Sequence, residues 1–293
     1  MQNDYYRQGI FLGIGAYVVW GTLPIYWKLL DHIAAVDILA HRIVWSCLFM
    51  LLLLAAWRKM DAFREDLRYL REHPKIIAGI FLSAGLISCN WLLFIWAVSA
   101  ERIVEVSLGY YINPLINVVL GVLVFKESLS VRQKSAVALA AFGVLLMTAA
   151  SGVFPYIALA LALSFGFYGL VKKQTKIASL TGLTIETMLL LPPALLYFTV
   201  YGGGTSFMES SPMTMMLLAG TGAATAVPLL LFGSAAQKIP LSVLGFLQFI
   251  APTMMLVLGT LVYGEPFSWI DGAAFLCIWT ALIIYSRRSR EQG

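Results

Sequence analysis

The chain has 293 residues, of which 60% are hydrophobic and only 12% charged, too few polar side chains to wet the surface of a soluble domain. Its formal net charge of +5 is scattered over short breaks between apolar runs. That distribution reads as membrane topology and excludes a nucleic-acid footprint.

Ten apolar runs of about 20 residues, the length that crosses a ~30 Å hydrocarbon core, follow one another. They cover 8–30, 36–57, 75–99, 103–125, 131–150, 153–171, 180–201, 213–236, 241–263 and 269–286. The pattern predicts an all-α membrane protein of ten transmembrane helices. The first run is too long for a signal peptide, has no small-x-small cleavage site and leads straight into another run, so it reads as a retained helix. With the N-terminus inside, all of the 20 Lys and Arg residues except Lys28, Arg42 and Arg102 fall in cytoplasmic segments, as the positive-inside rule requires. An even number of spans returns the C-terminus to the same side. The expected location is a bacterial-type inner membrane, with lipids as neighbours and a monomer or homodimer as the assembly.

The first helix carries Gly9 and Gly13, a small-residue step for close packing, followed by Trp20. In the second, His41 and Arg42 lie about six residues inside the outer end, roughly 9 Å deep at 1.5 Å per residue. Ionisable groups in a span cost about 2.5–3.5 kcal/mol at the centre and ask for a reason. Glu186 lies at a similar depth from the inner end of the seventh helix. The two depths leave a gap of roughly 12 Å in a ~30 Å core, which argues against an Arg42–Glu186 pair. Separate roles follow: His41 and Arg42 meet an anionic or polar substrate group, and Glu186 supplies a counter-charge or proton site, or pairs with a loop lysine such as Lys176. Asn90 and Trp91 sit mid-way along the third helix, and Tyr168 lies in the sixth, as parts of an aromatic wall with a few polar groups. Tyr26 and Trp27 read as interface anchors or core.

The fourth helix shows a polar stripe of Tyr110, Asn113, Asn117 and Gly121, with Pro114 inside it; the ninth presents Gln248 and Pro252. Both prolines are expected to break their helices and free a carbonyl, the pattern of a transporter site. Sliding the chain on itself by 138 positions pairs Ile112 with Ile250, Pro114 with Pro252, Gly121 with Gly259, Glu127 with Glu265 and Ser130 with Ser268. Residues 1–150 and 151–293 therefore read as a tandem duplication. Five helices per copy is an odd number, so the two copies are expected to be inverted about an axis in the membrane plane. Ser130 with Gln133 and Ser268 with Asp271 stand at matching helix starts as capping boxes. Glu127 and Glu265, just before them, are expected to end turns at the headgroup level.

These residues carry a resemblance. The duplicated Pro, Gly and Glu, together with Ala16–Gly21, His41–Ser46, Asn90–Val98, Ser107–Pro114, Phe167–Val171 and Ile185–Met188, resemble the RarD branch of the EamA family, in the drug/metabolite transporter superfamily. The resemblance covers nearly the whole chain. It implies a ten-helix permease with a central cavity lined mainly by the first, third, fourth, sixth, eighth and ninth helices, and it implies no particular cargo.

No Walker-type G-x-x-x-x-G-K-[ST] run occurs, so transport would run on a gradient or downhill. An enzyme would need a convergent catalytic set. The chain offers three His and three Cys with no metal-ligand spacing, so neither a cofactor, a metal nor a catalytic residue is expected. The reading is a secondary transporter of a small amphipathic metabolite or drug, with protons as the candidate coupling ion. A lipid flippase of the same fold is the alternative.

Overall fold

The computed structural model describes residues 2–100, 102–152, 154–175, 177–201, 207, 210–264 and 268–286. Lys176, Glu265 and Gly202 to Gly204 lie outside the described residues. The elements are helical: α1 Gln2–Lys28, α2 Ala35–Ala56, α3 Met60–Glu72, α4 Pro74–Ser99, α5 Ile103–Phe125, α6 Val131–Ser151, α7 Tyr156–Gln174, α8 Ser179–Tyr201, α9 Pro212–Ala236, α10 Leu241–Gln248, α11 Ile250–Val257 and α12 Trp269–Ser286. A π-helical turn, Leu258–Val262, extends α11. Ten stretches are long and apolar enough to cross a membrane. They are the ten expected runs, with α10, α11 and the π turn forming one span.

Helix ends follow local chemistry. Ser130 and Gln133 close a reciprocal capping box at the start of α6, with bonds of 2.9 and 3.3 Å. Ser268 and Asp271 do the same before α12, at 3.0 and 3.2 Å. Both boxes stand where the sequence placed them. Ser211 caps α9 by accepting from the Thr214 N–H at 3.2 Å, with Pro212 in the first turn, where its missing donor costs nothing. The linker after α2, expected as a basic loop, instead forms α3. Its apolar edge buries Phe63 and Leu70, the latter against Ile80 and Ile177, while Thr181 donates to Asp66. A 13-residue helix with so many charges lacks the long apolar signature of a span and was hidden by it.

Contacts between loops sort the ends of the spans into two faces. Lys238 bonds Gln8, Gln237 bonds the carbonyls of Thr175 and Ile177, and Tyr285 stacks on Phe246. This is the terminal face, where α1 begins and α12 ends. At the opposite, distal face, Tyr197 bonds Asp37, Lys28 lies over the Tyr263 ring and Arg102 pairs with Glu105.

The packing partners form a regular set: α5 with α7, α4 with α7, α2 with α9 and α6 with α12, together with α1 against α9 and α11, and α4 against α8. Exchanging each span for the one five further along maps these pairs onto one another. Without a hydrophobic drive between helices in lipid, close approach through small residues supplies the packing. A Cβ on Gly222 of α9 would lie 2.3 Å from the Trp45 carbonyl carbon of α2, whereas one on Gly85 of α4 meets nothing within 4 Å. Gly222→Val should therefore destabilise the protein by about 1–3 kcal/mol through overpacking. Gly85→Ala should be neutral or stabilising by up to about 1 kcal/mol. Thermal unfolding in detergent measures both.

Candidate functional site

α1, α2, α4, α5, α7, α9 and the α10–α11 span surround a cavity of about 550 Å³. Its walls come from mid-depth to the distal face, from Tyr17 to Trp27 on α1 and from Ala35 to Arg42 on α2. The second span thus joins the six helices expected to line it.

The break that shapes the floor is in the ninth span. α10 stops at Gln248, Phe249 intervenes, and α11 starts at Ile250. Pro252 has no N–H to return to the Gln248 carbonyl, so the ladder opens there and both residues face the cavity. The fourth span differs from expectation: α5 runs through Pro114 without interruption. Pro114 is buried behind the wall, its carbonyl so close to α10 that a Cβ on Gly245 would lie 2.6 Å from it. Tight packing on α10 supports the helix across the missing bond, which is how prolines persist inside spans. The Gln248 side chain accepts from Asn117 Nδ2 at 2.8 Å, tying α5 to the broken span.

Arg42 enters the cavity from α2. Its Nε donates to Thr225 Oγ1 at 2.9 Å, and its Cζ stands 5.0 Å from the ring centroids of both Trp27 and Trp91. No carboxylate pairs with it among the described residues. Tyr110 and Asn113 line the wall from α5. Asn90 lines it too, but its Nδ2 also reaches the Leu161 carbonyl and Ser164 Oγ, each at 2.9 Å, so it joins α4 to α7. Trp20 packs edge-on to Phe165 at 5.7 Å.

Three of the expected site residues lie elsewhere. His41 is buried beside the rings of Phe198 and Phe207, at 4.8 and 5.2 Å. One residue is a turn of about 100° on a helix, so His41 and Arg42 cannot share a face. Tyr168 is buried below the cavity, stacked on Phe232 at 6.0 Å. With Tyr17 and Phe165 these rings fill the space between the helices toward the terminal face.

Glu186 lies beneath this plug. It receives Lys172 Nζ at 2.9 Å, the Ser83 hydroxyl and, at 3.4 Å, the Tyr168 hydroxyl. Lys172 and Glu186 are 6% and 2% exposed, so the pair is buried outright. The sequence reading assigned Lys172 to a loop. Fourteen positions separate it from Glu186, and no helical period links them, so only the docking of α7 on α8 brings them together. Nearer the terminal face, the Glu127 carboxylate accepts from the backbone N–H groups of Leu241 and Ser242, at 2.7 and 2.9 Å. It serves as the missing cap of α10, whose N-cap is Pro240 with no side-chain acceptor. The left-handed Lys126 (φ 54°) turns the chain back for this, and Gly121 leaves the room: a Cβ there would meet Glu127 Oε2 at 2.5 Å. Glu127 therefore joins two spans instead of ending a turn at the headgroups.

Trp27 and Thr225 in the cavity wall and Lys172 in the buried pair are the positions that sequence reasoning missed. Trp27 passed for an interface anchor, and Thr225 carried no signal beyond its spacing of one turn from Thr221.

A ten-span helical protein with a polar-studded cavity at a broken helix belongs to the class of membrane transporters. Residues 7–149 match the EamA-like transporter family. The chain is 44% identical over 286 residues to the uncharacterized transporter YojE of Bacillus subtilis, covering 98% of this chain and 96% of that one. It is 44% identical over 281 residues to protein RarD of Escherichia coli, at 95% and 94% coverage. The chloramphenicol-sensitive protein RarD of Pseudomonas aeruginosa is 30% identical over 277 residues, at 94% and 93% coverage. A solved crystal structure shares the fold with a TM-score of 0.70 at 16% identity, covering 95% of this chain and 97% of that one. The chain belongs to the EamA-like transporter family, in the group that holds the RarD proteins. It is a family of transporters, not of enzymes.

The buried pair gives a test of this geometry. Removing one partner strands a charge and should cost about 3–5 kcal/mol, so Lys172→Met lowers thermal stability sharply, whereas Lys172→Met with Glu186→Leu recovers most of it. Equal loss in the single and double variants would show that the pair is not formed.

Proposed function

We propose that the chain is a secondary transporter of a small amphipathic metabolite or drug, working by alternating access without ATP. The observation that carries this reading is the one-sided cavity. It lies between the helices at the break of the ninth span, reaches the distal face, and is stopped toward the terminal face by Tyr17, Phe165, Tyr168 and Phe232. Lys and Arg crowd the segments between spans at the terminal face, so that face is the cytoplasmic one in a bacterial inner membrane, with both chain ends inside. The cavity then faces outward.

The exchange rule among packing pairs supports residues 1–150 and 151–293 as inverted five-helix repeats. Rocking one repeat against the other separates α5 from α10. It must release Glu127 from the N-terminus of α10 to open the cytoplasmic side. Substrate contacts come from Trp20, Arg42, Asn90, Trp91, Tyr110, Asn113 and Gln248.

Glu186 is the site for a coupling proton in this scheme. Its carboxylate ties α4, α7 and α8 together through Ser83, Lys172 and Tyr168, so neutralising it loosens the cytoplasmic closure. Glu186→Gln leaves Lys172 unpaired and should lower the yield of folded protein, but per amount of folded protein in proteoliposomes it should abolish pH-driven uptake and spare counterflow. Equal loss of both would remove Glu186 from coupling.

Counterflow against a panel of amino acids, amines and amphipathic drugs tests transport itself. Exchange of at least one compound is expected, with Asn113→Ala weakening it by more than it lowers protein yield. Lipid scrambling without any exchange would favour a flippase instead.

A further inference from the structure

Among the described residues, the cavity wall holds one formally charged side chain, Arg42, and no Asp, Glu, Lys or His. A guanidinium at membrane depth gains from a counter-charge. Among the described residues, the distal-face carboxylates are already engaged: Asp37 accepts from Tyr197 at 2.8 Å, Glu105 pairs with Arg102 at 2.9 Å, and Asp31 lies 3.8 Å from His32. Arg42 is held in place by two indole rings and one bond to Thr225. That bond uses one of five N–H donors in a rigid planar fork. The remaining donors suit a planar anion, which accepts them in pairs.

A second pole stands apart from the arginine. Asn113 Oδ1 and the Tyr17 hydroxyl are buried without a hydrogen-bond partner, and both residues line the same cavity. Each unmet polar atom costs about 1–3 kcal/mol, and a small rotation of either side chain would bring the atom to the cavity surface, where a ligand that bonds it recovers that cost. The rest of the wall is aromatic or aliphatic, and a volume of about 550 Å³ suits a small drug-sized molecule. Aromatic walls by themselves also hold ammonium groups, but here Arg42 repels them and no carboxylate among the described residues receives them.

We infer that this cavity selects organic anions: an aromatic or aliphatic body with one carboxylate-type group on Arg42 and a hydrogen-bonding group toward Tyr17 and Asn113. The inference rests on the reading of this cavity as the transport site. It narrows the cargo to one charge class.

The test is equilibrium binding to the purified full chain in lipid nanodiscs, read by thermal stabilisation and by quenching of tryptophan emission. The probes are 3-phenylpropanoate, its neutral amide and 3-phenylpropylamine, extended to a panel of aromatic carboxylates, sulfonates and phosphate monoesters. Anions should bind about tenfold or more tightly than the matched amide or amine. Arg42→Gln should erase that preference while the variant keeps its weak affinity for the amide, and Arg42→Lys should restore part of it. The inference is overturned by equal or better binding of the amine or amide, by an anion preference that survives Arg42→Gln, or by the absence of anion-dependent stabilisation across the panel. Counterflow of the same compounds separates this result from the transport reading. Exchange of amines or neutral compounds alone keeps transport and removes the anion site. Anion binding with no exchange keeps the site and removes transport.

Discussion

Hydrocarbon offers a charge no water, so every ionised side chain at membrane depth has to be answered from within the protein. Lys172 and Glu186 answer each other, with Ser83 and Tyr168 completing the carboxylate. The rest of the closed half follows from that arrangement. The pair holds α7 to α8, Ser83 brings in α4, and the aromatic plug rests directly above through Tyr168. Replacing such a pair by matched apolar groups is often neutral for stability, so stability alone does not account for its presence.

Arg42 is the counterexample that gives the cavity its meaning. It has no carboxylate partner among the described residues, and two indoles with one threonine hydroxyl take the place of an ion pair. The ion pair and the lone cation within the membrane are thus treated in opposite ways. The pair toward the terminal face is self-contained, and the cation toward the distal face lines the cavity.

The two halves are alike in pattern and unequal in shape. Pro114 and Pro252 occupy equivalent places, yet α5 continues through the first while the ninth span breaks before the second. Packing differs between them: Gly245 lets α10 press against the Pro114 carbonyl, whereas Pro252 borders the cavity. The same close approach positions Glu127 over the N-terminus of α10. Cavity shape and closure of the terminal face are therefore linked through one helix pair.

Much of the framework was legible in the residues alone. Ten spans follow from run length, both capping boxes from their Ser-x-x-Gln and Ser-x-x-Asp spacing, and the separation of Arg42 from Glu186 from their depths. Trp20, Arg42, Asn90, Trp91, Tyr110, Asn113, Gln248 and Pro252 were named from the sequence and share one cavity. These were legible because hydrophobic length, helical period and burial cost act along a single helix. What only the tertiary structure decided is which helix faces which: that His41 turns to Phe198, that Lys172 leaves its loop assignment for Glu186, that Glu127 caps a helix more than a hundred positions away. Such partners are chosen by interhelical packing in three dimensions, where rotation of a helix by one residue exchanges a cavity wall for a buried core, and no periodicity within a single helix records that choice.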